Sequence, residues 1–192
     1  MPRLTIRPEA VGLQTVRFHV VQPVTASRDA VVAAVVDPHL YESMQDMPSL
    51  GPPSVIEHKV DGDLNRLRIR YSFKGRLSSA ARAVLDPSKM TWVVNLDVDV
   101  KRYEAEFVML PDHYADRIRC RGSYRFETRG PATDLVMDGE LVVSALLVAG
   151  VIEKAIVSGF KEHMVEQAKA VERLAGERPE NTAGEQGRSA LT

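Results

Sequence analysis

Between residues 64 and 144, apolar and polar side chains alternate with period two, in one stretch after another. In "RLRIRYSFKG", Leu67, Ile69, Tyr71 and Phe73 share one face, and Arg66, Arg68, Arg70 and Lys74 take the other. "MTWVVNLDVDVK" places Trp92, Val94, Leu96 and Val98 against Asn95, Asp97 and Asp99. "YEAEFVML" places Tyr103, Ala105, Phe107 and Met109 against Glu104 and Glu106. "RIRCRGSYRFE" sets Ile118, Cys120, Tyr124 and Phe126 against four arginines, and "DLVMDGELVVS" repeats the alternation from Leu135 to Val143. Such a pattern predicts antiparallel strands with one buried and one wet face. "TVRFHVVQ" and "SVIEHKV" add two strands, and "VDGD" at 60–63 is a hairpin signal.

Helical signals are fewer. "TASRDAVVAAVVDP" offers Ser27 as an N-cap and Asp29 in the first turn, and Pro38 stops it. "HLYESMQ" reads as a second short helix, and "RLSSAARAVLD" is ambiguous. From near Gly150 to about Leu174 the period becomes helical. Ile152, Ile156, Gly159, Phe160, His163, Ala170, Val171 and Leu174 form one stripe, while Lys154, Lys161, Glu162, Lys169 and Glu172 are expected to point away, and Glu166 to lie off the stripe. The apolar run from Leu141 to Ile152 just before this helix is broken by Glu153 and Lys154. It is too short for a spanning helix, which needs about 20 apolar residues. It predicts a strand ending near Ser144, a bend and a helix start, with no integral membrane segment.

The tail "GERPENTAGEQGRSALT" has almost no large apolar residue to repay its ordering, so 176–192 is expected to be disordered and 14–175 to form one domain. The chain of 192 residues is 44% hydrophobic and 27% charged, ordinary for one globular unit. A net charge of −1 supplies no field for nucleic acid. If consecutive strands are neighbours, the outer arginines of 66–74 lie beside Asp97 and Asp99, and those of 117–121 beside Asp138 and Glu140. A meander with a solvated, cross-paired outer face follows, and no nucleic-acid partner is expected. The single Cys120 and the absence of an apolar leader suggest a cytoplasmic location.

Strand, helix, short helix, about six antiparallel strands and a long closing helix: this order resembles the helix-grip fold of the START-like, or SRPBCC, superfamily. That group includes birch-pollen-allergen proteins, polyketide cyclases and aromatases, and lipid-transfer domains. "FHVVQPVTASRDAVVAAVVDPHLYES" is similar to its opening, "GSYRFETRGPATDLVMDGELVVS" to its penultimate hairpin, and "LLVAGVIEKAIVSGFKEHMVEQAKAVERL" to its last helix. The last stretch also resembles an uncharacterised actinobacterial branch with a "PLVGGKIEK"-type bend. The resemblance implies an α+β fold: a curved antiparallel sheet of about seven strands wrapped around the C-terminal helix, with two short helices after strand 1. It further implies an apolar cavity between sheet and helix.

The candidate binding residues are therefore the inward large side chains. From the sheet these are Tyr71, Phe73, Trp92, Leu96, Tyr103 and Phe107, then Met109, Tyr124 and Phe126. From the helix they are Ile156, Phe160 and His163. A filled core remains an alternative, but three inward tyrosines each need a hydroxyl partner, which suits a pocket with polar tips. His163 is either a satisfied core histidine or a polar anchor facing a ligand, with Gln167 one turn later. Phosphate-loop, dinucleotide and nucleophile-elbow motifs are absent, and no His or Cys pair has metal-ligand spacing. No cofactor, metal or catalytic residue is assigned. The reading is a carrier or sensor of a hydrophobic or amphipathic small molecule, such as a lipid or polyketide. A cyclase- or aromatase-type enzyme and a closed-core interaction protein are the alternatives. Oligomeric state is not legible.

Overall fold

The computed structural model describes residues 15–83, 85–144 and 149–177. The element order is β1 (Thr15–Val24), α1 (Arg28–Val35), α2 (Pro38–Glu42), β2 (Ser54–Asp61), β3 (Leu64–Ser72), α3 (Ser79–Arg82), β4 (Thr91–Asp99), β5 (Glu104–Pro111), β6 (Ile118–Arg129), β7 (Ala132–Val143) and α4 (Ala149–Glu177). The strands form one antiparallel sheet in the order β1-β7-β6-β5-β4-β3-β2. This is the expected meander, with β1 closing on β7. It is the helix-grip architecture. The strand-to-helix bend expected after Ser144 falls mainly on 145–148 and the expected tail mainly on 178–192, both outside the described residues, as is 1–14.

Local chemistry explains the element ends. The Ser27 hydroxyl accepts from the Ala30 amide at 3.4 Å and caps α1. Pro38, which ends α1, starts α2, since its missing N–H costs nothing in a first turn. The hairpins β2–β3 and β6–β7 turn at Gly62 and Gly130, both at positive φ (59° and 62°), where a side chain would be strained.

The pleat is in register across the sheet. Phe18, Gly139, Gly122, Phe107, Leu96 and Leu67 form one row on the concave face, each opposite the next. On the convex face Arg66 sits opposite Asp97 and Arg121 opposite Glu140, with ion pairs of 3.9 and 3.3 Å. These pairs are exposed, so each stabilises little. Asp97 also faces Glu106, and Asp99 faces Glu104, a like-charge pairing that opposes the β4–β5 register weakly.

Helix α4 is gripped on more than one side, which corrects the single-stripe expectation. It packs on β1 and β7 and also against α1 and α2. Charged residues expected to face solvent become tethers there. Glu162 accepts from both the amide and the hydroxyl of Ser49 at 3.0 Å. Glu172 accepts from the Thr25 amide at 2.7 Å. Glu166 is buried at 3% exposure, with Lys169 and Arg173 within 3.7 Å. Glu153 is buried too, and desolvation raises its pKa.

Candidate functional site: an apolar cavity between sheet and helix

Phe160 of α4 stacks on Phe18 of β1, with ring centroids 4.9 Å apart. Away from this contact the helix stands off from β3, β4 and β5, and a cavity of about 100 Å³ remains. Its sheet wall is made by Ile69 and Tyr71 of β3, Trp92, Val94 and Leu96 of β4, Phe107 and Met109 of β5, and Tyr124 of β6. Its helix wall is Ile152, Ala155, Ile156, Gly159, Phe160, His163 and Gln167, which places successive turns of one stripe along the opening. Loop residues complete it: Ser49 and Leu50, then Phe73, Leu77 and Met90, then His113 and Tyr114. Exposed His113 and half-buried Phe73, Leu77 and Met90 mark the solvent side.

Gly159 shapes this space. A Cβ there would meet only the Leu50 methyl at 3.7 Å, so no packing contact requires glycine; its effect is to leave room. Gly122 and Gly139 differ. A Cβ on either would come closer than 3.0 Å to the rings of Phe107 and Phe18 respectively, and at Gly122 also to the Asp138 carbonyl. These two strand glycines let aromatic side chains lie flat on the sheet.

The polar tip of the cavity is the pair Tyr71–His163. The phenol oxygen and imidazole Nε2 lie 2.9 Å apart, and both side chains are buried. Desolvation pushes His163 down to about 4, so its imidazole is neutral at physiological pH, and burial pushes the Tyr71 phenol well above 10. His163 Nδ1 has no partner among the described residues. If Tyr71 donates to Nε2, only the Nδ1–H is orphaned. The opposite tautomer would orphan the phenol proton and the Nδ1 lone pair together, so the first is assigned. One turn on, Gln167 Oε1 is also buried without a partner among the described residues. The Tyr124 hydroxyl likewise finds no partner among them, whereas Tyr41, at the closed end, donates to the Val35 carbonyl at 2.9 Å. Cys120 is buried, with its thiol pushed up to about 12 by desolvation, and serves as a small apolar side chain.

Of the twelve residues singled out from sequence, the structure brings ten to this cavity; Tyr103 and Phe126 lie elsewhere. Tyr103 is in the β4–β5 turn at φ 56°, donates to Asp29 at 2.6 Å, and carries the Arg28 guanidinium 3.7 Å above its ring. Phe126 is buried in the core at 3% exposure, nearer the hairpin end of β6 than the lining residue Tyr124. Tyr41, Leu50, Leu77, Met90 and Tyr114 were not anticipated: they come from short helices and loops, where no periodicity marks a face.

Residues 19–174 match the family described as "Protein of unknown function (DUF2505)". The chain belongs to the DUF2505 family. That match includes every residue lining the cavity. Among curated proteins none matches the sequence. Solved structures share the fold of this DUF2505 chain. One is norcoclaurine synthase from Thalictrum flavum in complex with dopamine and hydroxybenzaldehyde, with a TM-score of 0.60 at 15% identity, covering 93% of this chain and 99% of that one. Another is the Zhui aromatase/cyclase from Streptomyces sp. R1128, with 0.58 at 19%, covering 88% and 99%. A third is TTHA0849 from Thermus thermophilus, with 0.58 at 15%, covering 83% and 96%. At these identities the likeness establishes the fold alone, the helix-grip arrangement of curved sheet and closing helix. No helix among the described residues is long and apolar enough to cross a membrane.

Proposed function

We propose that this protein binds a small hydrophobic molecule carrying a polar group, held between the sheet and α4. The observation that carries this reading is the apolar cavity of about 100 Å³ with one polar tip, Tyr71–His163. A closed-core interaction protein would retain room for no more than a water or two, each needing about 10–15 Å³, and this space is several times larger. The size favours a ligand, or a ligand portion, of about one or two fused aromatic rings over a whole lipid chain. Burying about 200 Å² of such a ligand supplies about 5 kcal/mol. Apolar walls provide that energy, and the polar tip sets orientation. The shared fold with an aromatase/cyclase and with a synthase whose complex holds dopamine and hydroxybenzaldehyde supports a ring-sized occupant.

One observation favours an enzyme in the same cavity: the Tyr71–His163 hydrogen bond has the geometry of an acid–base pair. The protonation states weigh against it. A base near 4 and an acid well above 10 are both poorly matched to proton transfer near neutral pH, so the pair suits anchoring better. The test is titration of the folded protein with a neutral, environment-sensitive naphthalene probe. Stoichiometric uptake, reduced in a His163→Ala variant, is expected. Well-folded protein that takes up no probe overturns the proposal, and turnover of a bound aromatic substrate abolished by that substitution favours the enzyme.

A further inference from the structure

The binding reading leaves the chemical class of the ligand open, and the charges around the cavity narrow it. No Lys, Arg, Asp or Glu side chain is among the described residues that line it. The inner polar groups are hydroxyls, an amide and an imidazole: Tyr71, Tyr124, His163 and Gln167, with the Tyr41 hydroxyl already engaged by the Val35 carbonyl. The arginines of neighbouring strands project from the opposite face, where Arg66, Arg68 and Arg121 pair with Asp97, Glu57 and Glu140. Resting on the binding reading, we propose that this cavity selects uncharged ligands, whose polar group is a hydroxyl, carbonyl or amide received at the Tyr124 and Tyr71–His163 end, and excludes carboxylates and ammonium ions of the same shape.

The reason is desolvation. An ion that leaves water for an apolar cavity loses its hydration and is repaid only by an opposite charge or by several convergent dipoles. Here the imidazole is held neutral by its own burial, and its Nε2 is already engaged by Tyr71. A ligand carboxylate would find no cation among the described lining residues. An ammonium would find aromatic faces, including the stacked Tyr71 and Trp92 rings, but cation–π attraction is smaller than the cost of stripping an ammonium of water. A neutral donor–acceptor group loses less, and Tyr124, 8% exposed with its hydroxyl unpaired among the described residues, can donate to it.

The test uses the full chain and three ligands of one shape, 2-naphthamide, 2-naphthoate and 2-naphthylmethylammonium, each competing near neutral pH with the neutral probe. The amide is expected to displace the probe with an affinity about a hundredfold above that of either ion. Tyr124→Phe, which removes one hydroxyl and no protein hydrogen bond, is expected to weaken the amide about tenfold relative to unsubstituted naphthalene. A carboxylate or ammonium that competes as well as the amide overturns the selectivity while leaving the binding reading intact. So does displacement by none of the three, or a Tyr124→Phe variant that binds the amide unchanged. Failure of the probe itself to bind removes the binding reading and, with it, this one.

Discussion

The two flanks of α4 both face apolar strand residues, yet one is closely packed and the other is hollow. On the β1–β7 flank, Phe18 lies on Gly139 and stacks on Phe160 at 4.9 Å. On the β3–β5 flank, Tyr71, Trp92, Val94 and Leu96 face the helix across a cavity. Hydrophobicity does not separate them. Placement of the missing side chains does: glycines on the sheet admit rings, whereas glycine on the helix leaves a void. Phe160 is the border, touching Phe18 on one side and lying 6.3 Å from Phe107 on the other.

The sharpest break of this comparison is on the packed row. In Gly122→Ala, the new Cβ would collide with the Asp138 carbonyl, which belongs to the β7 backbone and cannot swing away. Overpacking of this kind costs about 3 kcal/mol or more. A large fall in the denaturation midpoint is expected; a wild-type midpoint would show that the row is not closely packed. Gly139→Ala meets the Phe18 ring instead and is expected to cost less, since a side chain can shift where a backbone cannot.

On the hollow flank the largest effect is with pH. His163 is held at about 4 when folded, against 6.5 when free. Between those values the unfolded chain binds the extra proton, so stability rises with pH there. It is fully present above about 6.5, falls as pH drops toward 4, and levels off below, a loss of about 3 kcal/mol in all. Denaturation of wild type and His163→Leu across this range checks it: the variant is expected to lack this part of the slope. Parallel profiles would mean that the imidazole is solvated in the folded state.

The Tyr71–His163 pair comes next. Tyr71→Phe orphans Nε2, and His163→Leu orphans the phenol, each at about 1–2 kcal/mol. The double variant leaves neither orphan and is expected to cost clearly less than the sum, read as a coupling energy from a double-mutant cycle. Additive losses would dissolve the pair as a unit.

The fold was legible because the sheet's period is two and its register follows from alternation, as in the row from Phe18 to Leu67. His163 was legible as the polar member of an apolar helix stripe. Tyr103 was misplaced because alternation was carried one residue past the strand: β5 begins at Glu104, and Tyr103 has left-handed backbone, so its side chain leaves the pleat. Phe126 illustrates a second limit, since period two gives the face of a strand but not the distance along it to a cavity. Leu50, Leu77 and Met90 are set by loop conformation, which has no period. Buried Glu166 escaped because a helical wheel drawn for one neighbour cannot anticipate contacts with α1 and α2 as well.

The smallest effect separates packing from space most cleanly. Gly159 occupies the middle of α4, where alanine is preferred by about 1 kcal/mol. A methyl there contacts only Leu50 at 3.7 Å, so Gly159→Ala is expected to stabilise the protein by up to that amount. The same methyl enters the cavity and takes up part of its 100 Å³, so probe uptake is expected to fall as stability rises. Few substitutions move these two quantities in opposite directions, and thermal unfolding beside a probe titration reads both. If stability falls, Gly159 is a packing glycine like Gly122. If uptake is unchanged, the ligand sits nearer the loops than the helix, and the hollow flank ends before this turn.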